Sequence, residues 1–404
     1  MSWLVNGRVL DVQTGRFELK HMQIEAGQIL AMSATLPVGA TADAMDLGGA
    51  FVMPGFFDCH VHICADTSNP DATFGWANAL PGTIALYAAQ AARRLLMAGI
   101  TTARDVGGWD YHEMAVRQAI DRGWIEGPRL FCAGKILTIT SSTTAYYRGM
   151  YEEADGPDAV RRAARKQFAH GAQFLKLLAT GSVTSTKYES PMSIQLRREE
   201  IAAAVEIATD SQSYVAAHAH SPEGIRNAVE CGCRSIEHTV YGNEEVYRLM
   251  ADRGTYLVPT LCASQAMFDD PAFASKVTEH IRDRYDRMRS IHVQNIRDAW
   301  RLGVRIVMGS DVGTPGNHCG ANMKEVEVMV TQAGMPPLDA IRAATIQAAT
   351  MMRLDAELGS LEPGKRADLI AVIANPLDDI TTLNTVAFVM KDGRVAKNLL
   401  PSTT

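Results

Sequence analysis

The sequence predicts an α/β fold that combines a (β/α)8 TIM-type barrel with a small β-sandwich domain. The middle of the chain alternates short apolar runs with amphipathic helical patterns about eight times, and both chain ends carry strand-like patterns. The middle lacks the glycine-rich phosphate turn that a doubly wound open sheet usually has after its first strand. With 404 residues, 47% of them hydrophobic, the chain is long enough for a large core and a second, smaller domain.

The predicted β-sandwich is formed by both ends of the chain. Residues 3–10 and 22–29 alternate or place turn residues between short apolar runs, and residues 367–372 and 386–390, followed by residues 391–394, are typical of strands with a hairpin turn. We therefore expect the two ends to meet in one small domain that the long middle interrupts. The predicted domains are residues 1–53 plus 356–404 for the β-sandwich and residues 54–355 for the barrel.

The barrel prediction depends on a regular succession of strands and helices. The predicted strands cover residues 51–57, 100–106, 128–133, 174–179, 214–219, 235–240, 256–261 and 305–310. Helical patterns between them include residues 83–97, 158–169, 197–211, 222–231 and 244–253, and a longer one covers 272–302. In a closed parallel barrel the reactive side chains gather at the carboxyl ends of the strands, so these ends are where a site is expected.

Composition and charge exclude several classes of partner. The net charge is −6 and no run of Lys or Arg stands out, so we expect neither nucleic acid nor an anionic membrane surface to bind. No apolar run approaches the ~20 residues of a membrane span, and the amino terminus lacks the pattern of a secretory signal. Seven scattered cysteines fit reduced thiols. These features favour a cytoplasmic protein that acts on a small molecule.

Histidine pairs occur at the ends of two predicted strands. His60 and His62 end the first strand, and His218 and His220 end the fifth. Residues i and i+2 of a strand point to the same face, so both imidazoles of a pair can reach one metal ion. A chance pair of structural histidines is the alternative at either place.

A lysine lies inside the apolar fourth strand. Burying the Lys176 ammonium without a partner would cost several kcal/mol, and burial lowers a lysine pKa. The neutral amine can take up CO2 to form a carbamate, an anion able to bridge two metals. A lysine ion-paired within the barrel is the alternative.

Two further strands end in metal-binding residue types. The sixth ends in His238, and the eighth ends in Asp311 before a glycine-rich loop. Each polar strand end alone has a structural explanation, but five such ends in one barrel would rarely arise by chance. The sequence therefore predicts a metal site at the carboxyl ends of the strands.

The order and spacing of these motifs resemble the amidohydrolase superfamily over nearly the whole chain. Within it the sequence is most similar to the imidazolonepropionase-related branch, which includes zinc-dependent Xaa-Pro dipeptidases, Xaa-Arg/Lys carboxypeptidases and ochratoxin-type amidases. The matching stretches are residues 53–62, 175–176, 217–220, 236–238, 309–311 and 359–369, with 322–329 and 337–345 for the branch.

The resemblance implies a centre of two Zn2+ ions per chain, with Mn2+, Co2+ or Fe2+ as alternatives by ligand type. It also implies a homo-oligomer, because relatives commonly assemble. The implied ligands are His60, His62 and Asp311 for the more buried metal, His218 and His238 for the second, and N6-carboxylated Lys176 as the bridge.

The resemblance is less informative about substrate contacts. His220 stands where several dipeptidase relatives carry a Tyr, so it either polarises the scissile carbonyl or supports a ligand. His318 either supports the site or packs its loop. The loops around 136–147 and 239–241 depart from the dipeptidase pattern, so Xaa-Pro specificity is not carried over. Predicted substrate contacts are His220, Tyr241, His318 and Tyr147, and further loop candidates are Tyr146, Tyr151, Lys187 and Tyr188, for which surface or packing roles are the alternative.

The implied reaction is metal-assisted hydrolysis of an amide or peptide bond in a dipeptide, an N-acyl amino acid or a related amide. In it, Asp311 would accept a proton from the nucleophile and deliver it to the leaving nitrogen. One alternative is the same site acting on an aryl urea, a carbamate or a cyclic amidine. The other is a non-catalytic scaffold, which the complete ligand set disfavours.

Overall fold

The computed structural model describes residues 2–36, 44–67, 76, 79–145, 147–269, 271–275 and 277–401. Eighteen strands occur in these ranges. They are β1 (Ser2–Asp11), β2 (Arg16–Glu25), β3 (Gln28–Ser33), β4 (Ala44–Asp46), β5 (Phe51–Pro54), β6 (Phe56–Val61), β7 (Ile100–Asp105), β8 (Arg129–Cys132), β9 (Ile136–Thr138), β10 (Tyr151–Glu153), β11 (Leu175–Leu178), β12 (Val215–Ala219), β13 (Ser235–His238), β14 (Tyr256–Val258), β15 (Arg305–Ile306), β16 (Leu369–Val372), β17 (Phe388–Lys391) and β18 (Arg394–Asn398).

The helices lie mostly between the parallel strands, and a 3-10 helix at Ile380–Thr385 follows β16. They are α1 (Pro81–Met97), α2 (His112–Asp121), α3 (Pro157–Ala169), α4 (Arg198–Asp210), α5 (Pro222–Glu230), α6 (Glu244–Arg253), α7 (Ala263–Asp269), α8 (Pro271–Ala274), α9 (Glu279–Arg301), α10 (Met323–Thr331), α11 (Pro337–Ala343) and α12 (Ile346–Met351). In the described ranges no helix combines the length and the apolar character that crossing a membrane requires.

Eight parallel strand positions form a closed barrel. One sheet runs β6-β7-β8, and another runs through β9, β11, β12, β13, β14 and β15. The two sheets are joined by the backbone amide of Gln173, just before β11, which donates to the Cys132 carbonyl at the end of β8 at 3.0 Å. Both β8 and β9 therefore lie between β7 and β11, and together they form the third of the eight strand positions. The ring closes where Val61 pairs in parallel with Val312 beyond β15. This mixed α/β architecture with parallel strands agrees with the predicted barrel.

A second, mixed sheet, called the terminal sheet, contains both ends of the chain. Its order is β18-β17-β16-β5-β1-β2-β3, with β4 paired to β1. The amino-terminal and carboxyl-terminal segments meet where β5 pairs antiparallel with β16. The β2–β3 and β17–β18 turns approach each other, since an added Cβ on Gly393 would lie 3.0 Å from the Gly27 Cα. The strand pairing describes one sheet, and a sandwich of two layers stays a prediction.

Two predicted elements differ from the structure. The strand expected over 51–57 is divided at Gly55, whose amide donates to the Asp368 carbonyl, so that β5 joins the terminal sheet and β6 starts the barrel. The helix expected over 272–302 is two helices, α8 and α9. Thr278 has an extended backbone with ψ 150° immediately before α9, which ends any continuous helix there.

Local sequence turns the chain away from the barrel directly after the fifth strand. Ser221 follows His220, and its side chain accepts a hydrogen bond from the Gly224 amide, while Pro222 occupies the first turn of α5. This capped helix start fixes the direction of the chain one residue after His220. The side chains of His218 and His220 are therefore held at the carboxyl-terminal end of β12.

Candidate functional site

The six predicted metal-binding side chains converge on one cavity. Its volume is about 100 Å3, and it lies at the carboxyl ends of the barrel strands. All six residues are buried. The predicted ligands among its lining residues are His60, His62, Lys176, His218, His238 and Asp311.

The histidines of the first strand are each oriented by a hydrogen bond on one ring nitrogen. Nδ1 of His60 lies 2.7 Å from Oε2 of Glu237, and Nδ1 of His62 lies 2.9 Å from the Gly107 carbonyl oxygen. A carboxylate or carbonyl oxygen only accepts, so Nδ1 carries the proton in both rings. The Nε2 atoms of both rings therefore keep their lone pairs.

The other two predicted histidine ligands also have one ring nitrogen bonded to a protein oxygen. Nε2 of His218 lies 3.3 Å from the Gly181 carbonyl oxygen, which leaves Nδ1 as the free nitrogen. Nδ1 of His238 lies 2.7 Å from Oγ1 of Thr260, a hydroxyl that can donate or accept, so this bond orients the ring and Nε2 is the other nitrogen. Metal-binding histidines typically use the second nitrogen in this way, because the bond fixes the tautomer and the ring orientation.

The donor atoms of these side chains lie close together. Oδ1 of Asp311 is 3.5 Å from Nε2 of His60 and 3.5 Å from Nε2 of His62. Potential ligand atoms of His60, His238 and Asp311 all lie within 4.8 Å of one another. The ring centroids of His218 and His238 are 4.5 Å apart. Imidazole nitrogens and a carboxylate oxygen at such distances can share a bound cation.

Several buried polar atoms of the cavity-lining residues lack hydrogen-bond partners within the described part of the chain. Among them are Nζ of Lys176 and Oδ1 of Asp311. Burial lowers the pKa of Lys176 to about 8 and raises the pKa of Asp311 well above its ordinary value. Leaving such groups unsatisfied in a protein interior is costly, so their presence indicates a bound group.

The protonation states also fit a metal. Burial lowers the pKa of His62 to about 4 and that of His218 to about 3, and it lowers the pKa values of His60 and His238 as well. The four imidazoles are therefore neutral near pH 7, which is the form that binds a metal. A lysine with a lowered pKa is available as the neutral amine that carboxylation needs.

A buried ion pair behind His60 was not identified from the sequence. Arg104 and Glu237 are both fully buried, and Nη2 of Arg104 lies 2.8 Å from Oε1 of Glu237. Burial by itself raises the pKa of Glu237, but Arg104 and Lys176 bring it below its ordinary value. The available signal was the presence of charged residues in two buried strands, with Arg104 in β7 and Glu237 in β13.

A second supporting network joins the first strand to the segment that carries Asp311. The Asp58 carboxylate accepts hydrogen bonds from the Ser310 amide at 3.0 Å, the Asn322 side chain at 2.7 Å and the His60 amide at 3.1 Å. The Ser310 hydroxyl donates to the same carboxylate. The sequence signal for this supporting role was the position of Asp58, two residues before His60.

The backbone at the site adopts conformations that non-glycine residues rarely use. His238, Thr260 and Asp311 have φ values of 74°, 54° and 56°. Such conformations cost of order 1 kcal/mol or more each and persist only where surrounding contacts enforce them. At Gly313, with φ 106°, an added Cβ would lie 2.3 Å from the His62 carbonyl oxygen, so only glycine fits there.

The predicted substrate contacts divide into two groups, of which the first lines the cavity. His220 is buried, and its Nδ1 has no hydrogen-bond partner in the described ranges. Tyr147 also lines the cavity, and its hydroxyl lies 2.8 Å from Oγ1 of Thr184. Tyr151 is a third lining residue.

The second group lies away from the described lining. Tyr241 packs against an apolar cluster that includes Val183 and Tyr285. His318 contributes Nδ1 to a 2.7 Å hydrogen bond with Oγ1 of Thr67. Lys187 and Tyr188 are exposed, with the Lys187 ammonium 5.1 Å from the Tyr188 ring centroid. Tyr146 lies outside the described residues.

Comparison with known proteins is consistent with this geometry. A family model described as "Amidohydrolase family" matches residues 51–396, which is most of the chain. The chain belongs to the amidohydrolase family. This confirms the resemblance inferred from the strand-end motifs and implies a TIM barrel for the parallel strands.

Individual relatives extend the comparison. Ochratoxinase from Aspergillus niger is 32% identical over 376 residues, covering 86% of this chain and 75% of the relative. The crystal structure of a Xaa-Pro dipeptidase with bound methionine is 32% identical with a TM-score of 0.89, and the match covers 98% and 99% of the two chains. A prolidase complexed with N-methylphosphonate-L-proline is 29% identical with a TM-score of 0.89, over 98% and 99%.

These relationships establish the general activity of this amidohydrolase. It is a hydrolase that acts on carbon–nitrogen bonds, and the ochratoxinase and prolidase relatives support amide or peptide hydrolysis. The family generally binds divalent metals, and the His60, His238 and Asp311 cluster is a possible site for one.

Proposed function

We propose that the protein is a binuclear zinc amidohydrolase that cleaves an amide or peptide C–N bond of a dipeptide, an N-acyl amino acid or a related small amide. The observation that carries this proposal is the arrangement of four buried imidazoles. Each has one ring nitrogen tied to a protein oxygen, while the other nitrogen remains available beside unpartnered buried atoms of Lys176 and Asp311.

The donor types favour two zinc ions. Imidazole nitrogens completed by oxygen ligands, with no thiolate, suit Zn2+, and Mn2+, Co2+ or Fe2+ are compatible by ligand type. Carboxylation of the Lys176 amine would remove an unpaired buried amine and add two oxygen donors. The proposed ligands are His60, His62 and Asp311 for one ion, His218 and His238 for the other, and N6-carboxylated Lys176 between them.

The metals, when bound, supply an activated water and a Lewis acid for the scissile carbonyl. Asp311 takes the proton that the water loses as its oxygen forms a bond to the carbonyl carbon. Asp311 then gives the proton to the nitrogen as the C–N bond breaks, because an amide nitrogen leaves poorly as an anion.

His220 is proposed to act on the substrate rather than as a ligand. Its ring lies 4.4 Å from that of His218 between centroids, and its Nδ1 has no hydrogen-bond partner in the part of the chain that the structure describes. With a proton on that nitrogen, the neutral ring can donate a hydrogen bond to the carbonyl oxygen as negative charge develops there.

The decisive experiment combines metal analysis with a substrate screen. The purified protein should contain close to two equivalents of zinc per chain and should hydrolyse members of a panel of dipeptides, N-acyl amino acids and aryl amides. Aryl ureas and carbamates belong in the same panel, since preferential turnover of these would replace the amide proposal. A stable protein that binds no metal and turns over none of the panel would contradict the proposed function.

Lys176→Ala tests the bridging role. We expect this variant to lose most of its metal and activity, with partial recovery when short carboxylates such as acetate or propionate are added, because they restore oxygen donors in the vacated space. Lys135→Ala is the matched control, since Lys135 pairs with Asp110 outside the cavity. Full metal content and activity in Lys176→Ala would remove this residue from the centre.

We also propose that the metal centre belongs to a barrel domain separate from the terminal sheet. The proposed division is residues 54–355 for the barrel and residues 1–53 plus 356–404 for the second domain. The supporting observation is that the metal-binding candidates all come from the barrel strands or the loops that follow them.

A further inference from the structure

One arginine outside the cavity binds four backbone carbonyls of a single loop. Arg284 lies on α9, and its Nη1 donates to the carbonyls of Val183 at 3.2 Å and Ser185 at 2.7 Å. Its Nη2 donates to the carbonyls of Thr186 at 3.1 Å and Glu189. A planar guanidinium with several fixed donors can join carbonyls in this way, whereas a lysine ammonium is a single point of contact.

A glutamate of the same loop binds a second loop. The Glu189 carboxylate accepts hydrogen bonds from the Ser142 hydroxyl at 2.7 Å and the Thr143 amide at 3.0 Å. The hydroxyls of Ser142 and Thr186 are 2.6 Å apart, which adds a direct link between the loops. The loop after β11 is thus held on one side by α9 and on the other by the loop after β9.

These two loops and α9 form one side of the metal-site cavity, here called the roof. Ser182, Val183 and Thr184 come from the loop after β11, and Tyr147 comes from the loop after β9. Tyr285 and Met288 come from α9, one and four positions after Arg284, and pack with Val183 in one apolar cluster. Arg284 and Glu189 are not among the described lining residues, so they hold the roof without contributing to its surface.

We propose that Arg284 and Glu189 are positioning residues that hold the roof in its substrate-binding shape. This inference rests on the proposed function, in which the cavity binds an amide substrate at the metal centre. Ordering a loop during binding weakens affinity, and a loop that is already ordered in the free protein avoids that cost. The two residues therefore act on substrate binding more than on the chemical step.

The test replaces the Arg284 guanidinium by a lysine ammonium, which keeps the positive charge but removes the planar set of hydrogen-bond donors. In Arg284→Lys we expect KM for an amide substrate to rise about tenfold, which corresponds to the ordering of one or two side chains, with kcat changed less than about threefold. Metal content should stay at the wild-type value. Arg284→Met should raise KM further. Glu189→Gln should also raise KM, because it weakens the hydrogen bonds to the loop after β9. Arg287→Lys, an exposed position one turn along α9, is the matched control.

Hydrogen–deuterium exchange provides a readout that does not depend on turnover. In Arg284→Lys the segments 183–189 and 142–145 should exchange faster than in the wild type, while β12 and the Arg287→Lys control stay unchanged. Unchanged KM and unchanged exchange would overturn the proposal, as would a fall in kcat together with loss of metal. If the wild-type protein hydrolyses no amide, the proposed function fails, and the exchange comparison alone decides whether Arg284 holds the roof.

Discussion

Glu237→Gln replaces one carboxylate oxygen by an amide nitrogen and should weaken metal binding through His60. Oε1 of Glu237 accepts hydrogen bonds from Arg104 at 2.8 Å and Ser235 at 2.6 Å, so the amide oxygen must occupy that position. The amide NH2 group then faces Nδ1 of His60, 2.7 Å away in the wild type. Nδ1 must become an acceptor, and the ring proton moves to Nε2, which can then no longer bind a metal.

The expected magnitude follows from the loss of this oriented partner. Removing a second-sphere carboxylate or reversing its hydrogen bond typically weakens metal affinity by about 10–100-fold, or about 1.4–2.8 kcal/mol. The hydrogen bonds of Arg104 are retained but its buried charge loses its counterion, so a loss of stability is expected beside the loss of metal affinity. Competition with a chromogenic chelator measures the affinity, and activity at increasing metal concentration shows whether excess metal restores turnover.

The matched control is Glu113→Gln, the same change at another fully buried glutamate. Neither carboxylate oxygen of Glu113 has a hydrogen-bond partner within the described ranges, so it orients no histidine. Metal affinity of this control should equal that of the wild type. If Glu237→Gln also binds metal within about twofold of the wild type, the assignment of the His60 tautomer to Glu237 is refuted.

Three further predictions use other parts of the site. Asp311→Asn should retain metal while kcat falls by orders of magnitude, because an amide cannot accept and return the proton; unchanged turnover would exclude the shuttle role. Burial and the neighbouring Asp105 raise the pKa of Glu113, so the folded state binds more protons than the unfolded state, and stability is lost as pH rises above the ordinary Glu value. Glu113→Gln should reduce this loss by at most about 1.4 kcal/mol per pH unit up to about pH 8, and parallel Tm profiles between pH 6 and 8 would contradict it. Gly313→Ala should cost about 1–3 kcal/mol and lower metal content, because its Cβ would meet the His62 carbonyl at 2.3 Å, whereas Gly320→Ala, at φ 108° with its nearest neighbouring atom 3.6 Å away, controls for backbone strain alone.

The parts of the site that follow from local rules were predictable from the sequence. His60 and His62, like His218 and His220, are two residues apart at the end of a strand, and the structure brings both pairs to one cavity. Lys176 was recognisable because a lysine within an apolar strand needs an explanation. Helix positions were also predicted within one or two residues wherever a cap and an apolar stripe coincide, as in α6.

The parts that depend on distant neighbours were not predictable from one sequence. Arg104 and Glu237 are 133 positions apart, and they meet because the register of the closed barrel places β7 and β13 side chains in one interior layer. The contacts of Arg284 with the loop after β11 were not predictable either, because they depend on the position of α9 in the fold. Periodicity along the chain carries no information about such pairings.

Two of the buried charge systems in the barrel have different roles, which explains why both are present. Arg104 and Glu237 satisfy each other with good geometry, so this pair needs no ligand and can hold His60 in one tautomer permanently. Lys176 and Asp311 each retain a buried polar atom without a hydrogen-bond partner in the described part of the chain. Folding alone gains nothing from these two atoms, because desolvating them costs several kcal/mol. Metal binding would provide the missing partners, so stability and metal occupancy are expected to be linked at this site.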